Sequence, residues 1–436
     1  MIKEQNVRGI LEKKTYTYLE DTLYQAVLSN GLRLYLFPKT DFSETCGILT
    51  ADFGALDTTF KVVGDKEFST YPAGIAHFLE HKLFEQEGGE DAMTAFSKIG
   101  ASINAYTGFY QTSYLFSTTE NVKEALQLLQ EFVGQAHFSE ESVEREKDII
   151  QQEIDMYQDD PDYRLYTEIL ASLYPQTPLA QDIAGTVDSI KEISVQALTE
   201  NYDAFYRPQH MSLFLIGNFG AEEVWRDLLE RNQPVNEVSE PQIERQPMYA
   251  EDILAHRKIH LDVASPKLAI GLAGRDVIAS EELASYRLAL SFLFSMLFGW
   301  TSQVYQTLYE AGKIDSSFSL HLEVHSACHF MVMTLDTKEP IAVCNLVRKA
   351  IRDFENSPDM TEEHLELLKK EAYGDFIRSL NSLEATASQF VAQQAEGQSM
   401  FDLPSLLKNL NLQDILEAGH RFINNCDMTD FTIFPK

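Results

Sequence analysis

His77 and His81 stand four residues apart in the run His77-Phe78-Leu79-Glu80-His81, with a glutamate between them. On a helix, side chains at that spacing project from one face, so two imidazoles can grip one metal ion. Glu80 follows His77 by three positions and adjoins His81, so its carboxylate can reach a water beside that ion. Two neutral nitrogen donors, a divalent metal and a nearby base equip a chain for hydrolysis of an amide bond. A hydrolytic zinc site takes three protein ligands and keeps one position for water. One more ligand must come from elsewhere in the sequence.

The best candidate lies in the run Glu144 to Ile154. Glu146 and Glu153 are seven apart, two helical turns, and share a face. Ile149, Ile150 and Ile154 mark the apolar side of that helix. On that side Glu153 is a partly buried acid, and burying a carboxylate without a partner is costly. A metal ion removes that cost. Taken in isolation, Glu153 reads as an ordinary exposed helix glutamate.

The elements that must position these groups can be read from pattern. The run from Leu32 to Phe37 alternates after the Asn30-Gly31 turn signal and predicts a strand leaving a hairpin. Cys46 to Phe53 predicts a second strand, broken at Gly54. Ala73 to Glu85 reads as a largely apolar helix carrying the histidines. Ala92 to Ile99 reads as another, closed by Gly100. Ser102 to Ser117, rich in aromatic and β-branched residues, predicts one or two strands. Val122 to Val133 and Glu140 to Tyr157 are amphipathic helices. Ser139 starts the second of these, and Asp159-Asp160-Pro161 interrupts or ends it.

Residues 234–249 hold Pro234, Pro241 and Pro247 amid polar neighbours and read as a linker. Beyond it the order of elements repeats. Leu268 to Leu272 matches the strand around Gly47 to Leu49. Leu288 to Phe298 is an apolar helix in the place of the histidine helix, and Ser317 to Thr334 alternates like residues 102–117. Ala342 to Phe354 and Thr361 to Ile377 match the two later helices. The expectation is an α+β chain of two similar domains from an internal duplication, each a mixed or antiparallel sheet covered by helices. Residues 1–233 form the metal-carrying domain and 250–436 a catalytically silent one, for its helix reads Ser291 to Leu297 with no ligand.

Composition narrows the setting. The 436 residues carry 67 acidic against 35 basic side chains, a formal charge of −32. Such a surface disfavours nucleic acid and anionic membranes. Cys46, Cys328, Cys344 and Cys426 form no C-x-x-C pair, so neither a disulfide framework nor a thiolate zinc site is implied. The first residues lack the apolar core of a signal peptide. The most apolar run, Leu288 to Trp300, is too short to span a bilayer. A cytoplasmic protein with no membrane span is expected. Other histidines carry no site. His256 and His260 flank a strand pattern. His321, His325 and His329 would share one face of a strand yet span about 27 Å at 3.4 Å per residue.

With these residues in view, the chain resembles the pitrilysin, insulysin and mitochondrial processing peptidase family. There, the same H-x-x-E-H is followed some seventy residues on by a glutamate ligand in an E-x6-E-[IL] context. Here Glu153 follows His81 by roughly seventy residues, at the short edge of that range. The resemblance implies zinc held by His77, His81 and Glu153, Glu80 as general base and Glu146 supporting a ligand. Gly100 to Thr107 resembles the segment that presents an edge strand to substrate, with Asn104 and Ala105 as backbone contacts. It implies a zinc endopeptidase acting on extended oligopeptides or unfolded precursors in an enclosed chamber.

One place departs from that family. An arginine and a tyrosine are expected in a segment matching Leu308 to Asp315, where this chain has Tyr309 and Asp315. An ionised aspartate cannot stabilise an oxyanion. The expected partner is therefore a second, related chain that supplies the Arg/Tyr pair in a heterodimer; a homodimer would lack it. Two rival readings are a non-catalytic peptide-binding or assembly subunit and a lone exopeptidase. The intact ligand set argues against the first, and the edge-strand groove against the second.

Overall fold

The computed structural model describes residues 10–85, 91–232, 242–248 and 252–436. The fold is α+β and divides into two compact units. The first gathers residues 1–154, 182–246 and 379–395; the second gathers 155–181, 247–378 and 396–436.

The first unit is built on a seven-stranded sheet. Its order is Glu12–Tyr16, Asp21–Val27, Arg33–Pro38, Met211–Gly217, Thr45–Ala51, Thr112–Thr118 and Ala101–Thr107. Arg33–Pro38 and Met211–Gly217 run parallel; the other neighbours are antiparallel. Gly31, at φ +96°, makes the tight connection into the third of these strands, a backbone region glycine enters freely. Thr45–Ala51 is buried along its whole length, as a strand covered on both faces must be. One cover is the helix Leu383–Gln394. Its Phe390 stacks on Phe214 with centroids 4.2 Å apart and meets Tyr35 edge-on at 5.1 Å. The opposite core takes Phe78, Leu79 and Leu83 from the helix Ile75–Phe84 and Ile150 and Ile154 from the helix Glu140–Asp159.

The second unit holds a five-stranded sheet, Arg257–Leu261, Cys426–Pro435, Lys267–Gly274, His329–Asp336 and Ser319–Val324. The first pair is parallel and the rest antiparallel. Strand for strand, this repeats the order and sense of the last five strands of the first sheet, the topology a duplication produces. The helix Leu283–Phe298 occupies the chain position of the histidine helix and gives most of its side chains to the core. By length and composition the stretch Leu283–Glu310 could cross a membrane. In the fold it breaks between Phe298 and Gln303, and the first helix buries ten side chains, among them Leu290, Leu293, Met296 and Leu297.

The structure differs from the sequence-based expectation in several places. The two compact units cross the expected end-to-end division into 1–233 and 250–436 at two helices. Pro161–Leu173 belongs to the second unit, where Leu173 and Ile169 pack so closely on Gly271 that a Cβ there would lie 2.7 and 2.9 Å from them. Leu383–Gln394 belongs to the first. Of the expected linker 234–249, residues 234–241 and 249 lie outside the described residues. Ile243–Arg245 is not linker: it pairs with Thr59–Val62 in a small sheet, and Arg245 reaches the buried Asp57 at 2.5 Å. Asp160 does not merely end a helix. Its carboxylate accepts from Asp162 N and Tyr163 N and starts the next one, with Pro161 in the first turn. Ile149 is 52% exposed, because one residue of rotation carries it off the face that buries Ile150. His321 and His329 sit on separate strands of a hairpin rather than on one.

Candidate metal centre

The helix Ile75–Phe84 starts where two glycines interlock. Gly74 has φ +90°, and a Cβ on it would stand 2.4 Å from Ala184 O. Gly185, at φ +80°, would likewise strike Ala73 O at 2.4 Å. Ser189 Oγ donates to Ala73 O at 2.8 Å. Only glycine permits that approach and that backbone conformation, so the helix origin is fixed. Phe78, Leu79 and Leu83 face the core, which turns His77 and His81 together toward the helix Glu140–Asp159. At the other end Lys82, fully buried, pairs with Glu85, and Arg145 reaches Glu85 at 3.0 Å. That chain ties the end of one helix to the start of the other.

Glu153 Oε1 lies 3.7 Å from His77 Nε2, and its Oε2 lies 3.4 Å from His81 Nε2. One ligand atom from each of these three residues falls within 4.8 Å of the others. Four tetrahedral ligands at zinc distances of ~2.0–2.1 Å would stand about 3.3 Å apart, close to what these side chains already adopt. His77 Nδ1 is buried with no hydrogen-bond partner among the described residues, and an ion at Nε2 would not supply one. One further observation fits a cation. Burial first, then the neighbouring His81, pulls the His77 pKa down to about 4, which leaves a neutral imidazole, the form that binds metal. The donor set, two nitrogens and one carboxylate, suits zinc.

Around this trio the other expected residues take distinct places. Glu146 Oε1 is 3.0 Å from His81 Nδ1, which fixes the ring and leaves Nε2 toward Glu153. Burial lowers the His81 pKa, but the hydrogen bonds to Glu146 and Glu153 outweigh it and bring the ring up to about 9. Glu80 is buried, and burial raises its carboxyl above the ordinary value. Asn104 and Ala105 lie on Ala101–Thr107, the free edge of the seven-stranded sheet. Asn104 Oδ1 accepts from Ala105 N at 2.9 Å, so that amide faces outward from the sheet. A cavity of about 420 Å³ joins the two regions, lined by Glu80, His81, Phe84, Met93, Ala105 and Glu146.

Sequence reasoning missed two features. Thr107 Oγ1 donates to Glu80 Oε2 at 2.6 Å; its nearness to Asn104 and Ala105 in the chain was the only signal. Phe84 and Met93 as cavity walls had none, since apolar helix residues read first as core.

Residues 63–187 match the family model described as insulinase (peptidase family M16), and residues 192–372 match the M16 inactive domain. The chain belongs to the M16 peptidase family. Within M16 it is 36% identical over 424 residues to the uncharacterized zinc protease YmfH of Bacillus subtilis (strain 168), which covers 97% of this chain and 98% of that protein. A solved M16-like peptidase from Alicyclobacillus acidocaldarius matches 99% of this chain and 100% of its own, with a TM-score of 0.88 at 29% identity. A protease from Helicobacter pylori shares the fold with a TM-score of 0.77 at 19% identity. Over a shorter span, 35% of this chain, an Arabidopsis thaliana protein named as a probable mitochondrial-processing peptidase subunit beta is 30% identical. The M16 family is one of zinc proteases, and both of its domain models match this chain.

Proposed function

We propose that this chain is a zinc metalloendopeptidase that hydrolyses extended oligopeptides or unfolded precursors. The observation that carries the reading is the convergence of His77, His81 and Glu153 beside the buried carboxylate of Glu80. His77 and His81 through Nε2, with Glu153, would hold one zinc ion. Zinc bound there would polarise a carbonyl and acidify a water. Glu80 is placed to take a proton from a water as that water's oxygen adds to the peptide carbonyl carbon. It then returns the proton to the leaving nitrogen as the C–N bond breaks. Glu146 keeps His81 in one orientation throughout. The outward amide of Ala105 supports strand addition of the substrate along the sheet edge, a mode that reads backbone more than side chains.

The segment Leu308 to Asp315 supports a site that a second chain completes. Tyr309 is exposed and stacks on Tyr305. Hydrogen bonds from Ser317 hold the Asp315 carboxyl below the usual range, so it stays ionised and cannot donate to an oxyanion. A second, related chain supplying an arginine and a tyrosine would complete the site as a heterodimer. The absence of a disulfide among the four cysteines supports a cytoplasmic setting.

The test is peptidase activity of the zinc-loaded chain alone and mixed with a metal-free relative, with Glu80→Gln as control. Turnover that rises on mixing and vanishes with the control is the expected result. No turnover in either preparation would favour a non-catalytic peptide-binding or assembly subunit. Full activity of the chain alone would remove the heterodimer.

A further inference from the structure

Thr107 closes the hairpin of Ala101–Thr107 and Thr112–Thr118, where it stands directly opposite Thr112. Its Oγ1 lies 2.6 Å from Glu80 Oε2 and 3.4 Å from Thr112 Oγ1. A hydroxyl has one proton to give. Thr112 Oγ1 donates its own to Phe53 O at 2.8 Å, so the Thr107 proton goes to Glu80. One carboxylate oxygen is thereby held and the other left to accept a proton.

The anchor beneath this contact is stiff. The turn after Thr107 is pinned by Ala55 N donating to Gly108 O at 3.0 Å and Leu56 N donating to Phe109 O at 2.9 Å. Gly54 sits so close to that turn that a Cβ on it would be 2.5 Å from the Phe109 backbone. Thr112 is fully buried. Thr107 therefore cannot drift without dragging the hairpin from its seat. It is also two residues beyond Ala105, on the same side of the same strand.

We propose that Thr107 is a positioning residue. Its hydroxyl fixes the Glu80 carboxylate for proton transfer and couples it to the edge strand that would receive the peptide. This rests on the reading of Glu80 as the general base. A peptide that adds to the edge at Ala105 settles the strand and, through Thr107, the base. Substrate registration and proton acceptance then share one rigid element.

The variant Thr107→Val keeps the shape of the side chain and removes the hydroxyl. In the zinc-loaded assembly that shows turnover, kcat should fall by about ten- to a hundredfold with KM within about twofold. Thr107→Ser should restore it. In the Glu80→Gln background, Thr107→Val should cause no further loss, because the two residues act as one unit. Zinc content, and binding of a dye-labelled extended peptide measured in that background, should not change. A crystal structure of Thr107→Val should show the Glu80 carboxylate displaced. Parental kcat in Thr107→Val, an unmoved carboxylate, additive loss in the double variant, or loss of zinc would each overturn the assignment. If Glu80→Gln is inert while Thr107→Val is unaffected, the positioning role alone fails; if Glu80→Gln retains full turnover, the base assignment itself fails.

Discussion

Oε1 of Glu146 lies 3.0 Å from Nδ1 of His81, while the other nitrogen of that ring faces Glu153 at 3.4 Å. One imidazole is thus held from both sides by two acids of a single helix, seven residues apart. Its orientation is set before any ion arrives. His77, whose Nδ1 has no such partner among the described residues, meets an acid only on its Nε2 side, where Glu153 lies 3.7 Å away. The two histidines should therefore respond differently to changes around them.

Removing the ring's support should weaken metal retention without abolishing it. Glu146→Gln should lower zinc affinity by about 10–100-fold, as read by competition with a chromophoric chelator. Glu153→Gln removes a ligand and should lower occupancy further. If both variants hold zinc like the parent, the three-ligand arrangement is wrong.

Glu80→Gln should separate binding from chemistry. It deletes the proposed base and none of the proposed ligands, so zinc content by atomic absorption should match the parent while kcat falls by about 10²–10⁴-fold.

Metal binding should release a proton. In the metal-free protein His81, brought up to about 9, carries a proton at neutral pH, whereas His77, pulled down to about 4, does not. Zinc must displace the His81 proton, so apparent affinity should rise about tenfold per pH unit between pH 6.5 and 9 and level off above. Titration calorimetry in buffers of different ionisation enthalpy should count close to one proton released at pH 7.5. Linkage carries the same sign into stability. A folded pKa above the ordinary 6.5 contributes stability that is fully present below pH 6.5 and is lost as pH rises through about 9. The metal-free chain should lose melting temperature across that window, and the zinc-loaded chain should not.

Gly74→Ala should disturb the site from a distance. The substitution places a Cβ 2.4 Å from Ala184 O on a residue at φ +90°. The strain should cost roughly 1–3 kcal/mol or more, seen as a lower melting temperature, and it should reduce zinc occupancy because the origin of the histidine helix moves.

The candidate site was legible in the sequence wherever its geometry depends on spacing within one helix. His77, Glu80 and His81 share a short segment whose apolar neighbours settle its orientation, and Glu146 with Glu153 obey the same rule two turns apart. The duplication was legible because strands and helices recur in one order. What escaped depends on contacts between distant segments. Thr107 meets Glu80 only because a hairpin closes beside the helix. Ile243–Arg245 looks like a proline-flanked connector and becomes a strand only because Thr59–Val62 offers an edge. Ile149 misled because adjacent isoleucines on a helix diverge by about 100°, which composition alone does not reveal.

The helix Leu383–Gln394 belongs to the unit that holds His77, His81 and Glu153, although it lies far beyond that unit's other segments in the chain. During synthesis, the sheet that carries Tyr35 and Phe214 must therefore wait for Phe390 to leave the ribosome before its second face is closed. A polypeptide halted between the two halves would contain the whole His77, His81 and Glu153 trio and still expose aromatic rings meant for the interior, an invitation to chaperones and proteases.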